Sequence, residues 1–315
     1  MPQQYPQFRT GMLLGLGAYA IWGVLPLYFK LLAHVGAVEI VSHRIIWSLF
    51  FLAALAALWR KWPGIWAALT TPRLAMTLAV TALLIGVNWS VYIYAVVSGH
   101  VLEGSLGYYL NPLVNVLLGV FLLQEKLTNW QKFAFILACA GVAVLASGAG
   151  SALWISLTLA ASFATYGYLR KVAPVDALEG LTVETLLLTP LALGWILWLT
   201  MAGSSNFGTI PLTNVLLVVG GALTAIPLLL FTAAAKRLPY STLGFLQYVA
   251  PTLQFLLAVL AFGEPFRLPH MICFGAIWVA LAIFTVEGIR QGVRASAARR
   301  EALRDEGPGT IVGQC

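Results

Sequence analysis

Two ions stand where the chain is otherwise apolar. They are Arg44, in the run Val41-Ser42-His43-Arg44-Ile45-Ile46, and Glu184, in Leu181-Thr182-Val183-Glu184-Thr185-Leu186. An ion at the bilayer centre costs from about 2.5 to more than 10 kcal/mol, so one that persists faces a bundle interior and marks a substrate or ion path. An arginine there supplies a counter-charge or an anion contact. A desolvated carboxylate gains proton affinity and becomes a candidate proton carrier. By helical rise each ion sits roughly 9 Å in from its own face, and the faces are opposite, which leaves about 12 Å of height between the backbones. A direct pair would be strained, so partners at matching depth are expected: Asn88 and Glu103 for Arg44, Gln247 and Tyr248 for Glu184. No cation is expected at the level of Glu184, and a neutral carboxyl satisfied by Gln and Tyr is the structural alternative to proton carriage. His43, beside Arg44, points about 100° around the helix and reads as an interhelical donor.

The pattern offers little for catalysis. Gly15-Leu16-Gly17-Ala18-Tyr19-Ala20 fits a degenerate dinucleotide fingerprint, but it lies in an apolar helix with no strand before it. There is no Walker sequence, no GxSxG and no HExxH, and His34, His43, His100 and His270 have no metal-ligand spacing. No catalytic residue, cofactor or metal is expected. Energy, if any is used, comes from an ion gradient or from the substrate's own gradient.

The elements that hold these residues follow from composition. Of 315 residues, 60% are hydrophobic and 9% charged, against about 25% charged in soluble domains. The solvent must be lipid. Cys139, Cys273 and Cys315 are too few for a disulfide framework. The net charge of +7 does not point to nucleic acid, because five of the 18 basic residues lie past residue 289 and the rest sit scattered in short turns. Ten apolar stretches reach the roughly 20 residues a crossing needs: 11–33, 38–59, 74–97, 101–123, 130–147, 151–169, 178–201, 213–235, 241–263 and 270–289. The fold class is therefore all-α integral membrane. The first stretch is too long for a cleavable leader and lacks its cleavage site. With both termini cytoplasmic, fifteen Lys and Arg fall inside, Arg170 and Lys171 among them, and only Lys30 and Arg267 fall outside, as the positive-inside rule requires. A short tail, 1–10, precedes the first span. The basic tail, 290–315, lies against anionic headgroups or is solvated and partly disordered.

The halves resemble each other. Ala37-Val38-Glu39 opens span 2 and Ala177-Leu178-Glu179 opens span 7, with Arg44 and Glu184 each five residues on. Leu106-Gly107-Tyr108, Pro112 and Glu125 are answered by Leu243-Gly244-Phe245, Pro251 and Glu264, the proline-to-glutamate spacing being 13 in both. The units 11–147 and 151–289 would each cross five times, an odd number, so the second must be inverted. Secondary transporters recurrently use this plan, with the substrate at mid-membrane between the copies. Pro112 and Pro251 sit roughly 15 Å into their spans and are hinge candidates. Glu103, Gly107, Asn111 and Asn115 share a face of span 4, with Tyr108 and Tyr109 alongside. Gly244, Gln247, Pro251 and Gln254 share a face of span 9, with Tyr248 beside it, and Tyr19, Trp22, Pro26 and Phe29 share one of span 1. Such stripes line a cavity or form helix seams. Gly11 and Gly15 read as packing.

Trp22-Gly23, Pro26, His43-Arg44, Trp47-Ser48, Asn88-Trp89, Glu103-Gly104-Ser105-Leu106-Gly107-Tyr108, Asn111-Pro112, Gln247-Tyr248 and Pro251-Thr252 resemble the RarD subgroup of EamA-type drug/metabolite transporters. The likeness runs over about residues 11–288. It implies a ten-helix permease of the bacterial inner membrane with inverted five-helix repeats, exporting small metabolites or drugs. The subgroup is associated with chloramphenicol sensitivity. The resemblance carries no fixed list of binding residues. From depth and polarity the candidates are Arg44, Glu184, Glu103, His43, Asn88, Asn111, Gln247 and Gln254, with Trp22, Trp89, Tyr108 and Tyr248 as aromatic walls. A receptor or scaffold without flux, and an intramembrane enzyme, are the competing classes. Substrate, lipid and protons are the expected partners.

Overall fold

Lipid offers no hydrogen bonds, so a crossing backbone must satisfy its own. The computed structural model describes residues 7–98, 100–147, 153–260 and 268–305, and these form helices with no strand among them. In chain order they are α1 (Phe8–Leu31), α2 (Ala37–Leu58), α3 (Trp62–Thr70), α4 (Pro72–Val97), α5 (Val101–Phe121) and α6 (Asn129–Ala146). The second half holds α7 (Leu153–Val172), α8 (Ala177–Met201), α9 (Pro211–Ala235), α10 (Tyr240–Gln247), α11 (Val249–Leu260) and α12 (Leu268–Asp305). Among the described residues six helices are long and apolar enough to cross a membrane: α1, α2, α4, α6, α8 and α9. Leu13, Phe50, Leu83, Ile136, Leu191 and Val215 are exposed on the outside of the bundle, a surface that water would penalise and lipid accepts.

Three segments depart from the sequence reading. The turn after span 2 contains the nine-residue helix α3, started by Pro63 in its first turn and packed on α8. At about 1.5 Å per residue it is too short to cross. Span 9 is two helices, because Pro251 has no N–H to give the carbonyl of Gln247 and its ring crowds that carbonyl. The regular pattern breaks at Tyr248 and resumes at Val249. Helix α12 runs 38 residues, well past residue 289. The Arg-, Ala- and Glu-rich run after Arg290 favours helix, so the tail, read from sequence as headgroup-bound or as solvated and partly disordered, is helical to Asp305.

Helix α2 packs against α8 and α9, α4 against α7 and α8, α1 against α9 and α11, α5 against α7 and α10, and α6 against α12. Gly221 makes the α2–α9 crossing close. A Cβ there would overlap the backbone of Trp47, and across this gap the Ser48 hydroxyl donates to the Gly221 carbonyl at 2.8 Å. Gly11 and Gly15 likewise admit Leu238 and Leu246 against α1. The C-terminal ends of α7 and α9 cap each other. Lys171 Nζ donates to the carbonyls of Ala235 at 2.7 Å and Leu238 at 2.5 Å, and Lys236 Nζ donates to that of Ala173 at 2.8 Å. Cations so placed satisfy orphan carbonyls and oppose the negative helix ends.

Candidate functional site

Glu184 lies on α8 and is 1% exposed. Thr81 Oγ1 on α4 donates to its Oε1 at 2.5 Å, and the Tyr166 hydroxyl on α7 donates to Oε2 at 3.2 Å. Arg170 Nε, also on α7, is 3.4 Å from Oε1. This corrects the expectation that no cation stands at this level and that Gln247 and Tyr248 are the neighbours. Arg170 was counted among the cytoplasmic turn residues, yet its side chain is fully buried. Its Nη2 donates to the Ala177 carbonyl at 3.1 Å. A Cβ at Gly180 would overlap the guanidinium, so the absence of a side chain at 180 makes the berth for Arg170. Two hydroxyl donors and a cation suit an ionised carboxylate, which only accepts. A buried pair of this kind is strongly interdependent: a partner left alone is an uncompensated buried charge.

Arg44 lies on α2 and is half-buried. Its Nε donates to Thr224 Oγ1 on α9 at 2.7 Å. The guanidinium carbon is 5.2 Å from the centre of the Phe29 ring and 5.9 Å from that of Trp89, which places the cation over two negative ring faces. Tyr28, Tyr92 and Tyr108 lie within its electrostatic reach. Arg44 and Glu184 do not pair, in agreement with their calculated difference in depth.

Between them is a narrow cavity, with room for roughly one water molecule. Its wall comes from five helices. Ile45 and Ser48 of α2 and Ile85 and Trp89 of α4 face Tyr166 of α7, Glu184 and Thr185 of α8, and Thr224 and Leu228 of α9. The cavity therefore touches Glu184 directly and meets Arg44 through the shared Thr224 and Trp89.

The other candidates sit on helix seams. Asn88 Nδ2 donates to the Leu159 carbonyl and to Ser162 Oγ, both at 2.9 Å, tying α4 to α7 rather than to Arg44. Gln247 Oε1 accepts from Asn115 Nδ2 at 2.8 Å, joining α10 to α5. Gln254 Nε2 donates to the Trp22 carbonyl at 3.0 Å, and the Tyr248 hydroxyl to that of Tyr109 at 3.3 Å. Asn111 is buried, and its Oδ1 has no hydrogen-bond partner among the described residues. Tyr108 meets Tyr92 edge to face at 5.8 Å. His43 stacks on Phe207 of the α8–α9 loop at 4.9 Å. Pro112 lies inside a continuous α5, whereas Pro251 follows the α10–α11 break. The side chain of Glu103, and Glu264, lie outside the described residues.

Residues 9–147 match the EamA-like transporter family. Over 293 residues the chain is 47% identical to an uncharacterized transporter of Vibrio cholerae, covering 92% of this chain and 97% of that one. It is 48% identical over 284 residues to Protein RarD of Escherichia coli, covering 90% and 96%. The chain belongs to the RarD subgroup of EamA-type transporters. It is a multi-pass membrane protein of a transporter family, with a small molecule as substrate and lipid as solvent. A solved crystal structure matches this RarD-type chain with a TM-score of 0.71 at 20% identity, over 89% of this chain and 98% of that one, so the fold is shared.

In this RarD-type fold the residues missed by sequence reasoning are Arg170, Thr81 and Thr224. Arg170 did leave a sign, since it follows Tyr166 by four residues and so shares its helix face. Trp22 sits 5.7 Å from Tyr19 and 5.8 Å from both Phe163 and Phe231, ring centre to ring centre. This cluster joins α1 to α7 and α9, and through Phe163 and Phe231 it packs on Tyr166 of the cavity wall.

Proposed function

We propose that the chain is a secondary transporter exporting small metabolites or drugs across the bacterial inner membrane by alternating access, and that it is not an enzyme. The carrying observation is the cavity, walled by helices from both halves of the chain, lined by Glu184 and reached from Arg44 through Thr224 and Trp89. In this reading α10 and α11 together make one crossing and α3 makes none, giving ten. The units 11–147 and 151–289 are inverted repeats, with the tails 1–10 and 290–315 cytoplasmic. The helix pairings support this. Exchanging each helix for its counterpart turns α1–α11 into α7–α5, α2–α9 into α8–α4 and α1–α9 into α7–α4, and every product is also a packed pair. A cavity this narrow fits a closed arrangement between two open ones.

Glu184 is the proton-linked group. Its ion pair with Arg170 holds the closed arrangement, and a proton on the carboxylate removes the charge that Arg170 faces. Arg44 is the counter-charge on the other side of the cavity. A thermal-shift screen of amino acids, nucleosides and amphenicols identifies a ligand by the rise in melting temperature it causes. Flux of that ligand into vesicles should respond to a proton gradient in the wild type and lose that response in Glu184→Gln. Identical gradient dependence in the two removes Glu184 from the mechanism.

A further inference from the structure

The two arginines beside the cavity are neutralised differently. Arg170 faces the Glu184 carboxylate at 3.4 Å. Arg44 has no carboxylate within 4.0 Å among the described residues. Its neighbours are a hydroxyl, Thr224, and the rings of Phe29 and Trp89. These are dipoles and quadrupoles, so they orient the guanidinium without cancelling its charge. Thr224 occupies Nε, and neither terminal nitrogen makes a hydrogen bond among the described residues. Those two nitrogens form the planar fork that meets both oxygens of a carboxylate. Beside the fork lies apolar and aromatic surface: Phe29 and Trp89, then Ile45, Ile85 and Leu188 in the cavity wall.

Resting on the transporter reading above, we propose that Arg44 is the recognition point for an organic anion, a carboxylate bearing a planar apolar group. With the cavity opened to one side, the carboxylate pairs with the terminal nitrogens of Arg44 and the apolar group lies along Trp89 and the parted wall. The closed cavity, with room for roughly one water molecule, does not hold it. Binding makes the site neutral, which lowers the cost of carrying both charges through a medium of low polarity. The substrate thus supplies the counter-ion that Glu184 supplies to Arg170.

The test uses the full chain, purified in detergent, and three probes: benzoate, benzamide and acetate. Benzamide keeps the shape of benzoate without the charge, and acetate keeps the charge without the ring. By calorimetry the wild type should bind benzoate about tenfold tighter than either, because a site built for a charged partner rejects the analogue lacking it. Arg44→Gln should lose the preference for benzoate over benzamide. Arg44→Lys should keep part of it, having the charge without the fork. Benzamide binding as tightly as benzoate in the wild type overturns the proposal, as does undiminished benzoate binding by Arg44→Gln. Acetate matching benzoate overturns the apolar half of the assignment. The wild-type comparisons need no variant, so a poorly folded mutant cannot decide the matter. Flux in vesicles separates this site from the transporter reading. Benzoate that binds but does not move leaves the anion site standing and removes the transporter. Flux of neutral solutes without a benzoate preference does the reverse.

Discussion

At the scale of single side chains, Arg170 and Glu184 bind each other's fate more tightly than they stabilise the fold. Arg170→Met leaves Glu184 with two hydroxyl donors and no cation, an uncompensated charge worth about 3–5 kcal/mol of stability. The double variant Arg170→Met/Glu184→Leu should recover most of that loss, since an apolar pair of similar volume replaces a buried ion pair at little cost. Melting temperatures in detergent read the comparison, and a double variant no more stable than the single would deny the coupling. The ions themselves were legible, because lipid makes any charge in a span conspicuous. Arg170 was not, since a cation in the last turn is ordinarily a helix cap, as its neighbour Lys171 is. Thr81 and Thr224 gave no sign at all. A threonine in a helix commonly bonds its own backbone, as Thr224 does with the Gly220 carbonyl at 2.8 Å, and its second use as an acceptor for Arg44 depends on which helix lies opposite.

At the scale of helices, two prolines at matched positions behave differently. Helix α5 carries Pro112 without a break, but the helix carrying Pro251 divides at Tyr248. The start of α10 is held separately by Glu125, whose Oε1 accepts from the Tyr240 N–H at 2.5 Å and whose Oε2 accepts from the Ser241 N–H at 2.9 Å and hydroxyl at 2.6 Å. In the transport cycle proposed above, this short helix, anchored at its first turn and loosened at its last, serves as the hinge. Pro251→Ala restores an N–H able to reach the Gln247 carbonyl, so it should raise the melting temperature, by about 3 kcal/mol or less in stability, while lowering vesicle flux. Faster flux would show that the break is not used. Helix positions were readable from hydropathy because lipid forces long apolar runs, and the break was foreshadowed by Pro251. The helix α3 was hidden, since nine residues among Arg60, Lys61 and Pro63 look like a turn.

At the scale of the molecule, matching carboxylates fasten the two halves at two places. Glu39, opening α2, accepts from Ser205 Oγ at 3.1 Å, the Asn206 N–H at 2.7 Å and Asn206 Nδ2 at 2.8 Å in the α8–α9 loop. Glu179, opening α8, lies 3.5 Å from Lys61 Nζ before α3 and packs on Gly64. With Ser48→Cys as a reporter on the cavity wall, Glu39→Ala and Glu179→Ala should each increase maleimide labelling, from opposite sides of the membrane. Labelling unchanged by both would remove these contacts from gating. Beside the second fastening, Lys61 Nζ donates to Asp176 Oδ2 at 2.8 Å. That bond holds the Asp176 carboxyl below the usual carboxylate range and Lys61 above the usual lysine range. A depressed carboxyl contributes above its unfolded value and is lost as pH falls through its folded one, while a raised lysine is lost only at high pH. The melting difference between wild type and Asp176→Asn should therefore hold steady from about pH 5 to pH 9 and close below about pH 4.

Helix α12 shares its seam with α6 and then continues from Glu287 to Asp305, about 27 Å of further rod. Its far end is a lever: a tilt of about 10° at the seam swings the tip by about 5 Å. A spin label near residue 304 would register a tilt of α12 against α6 as a displacement of about 5 Å.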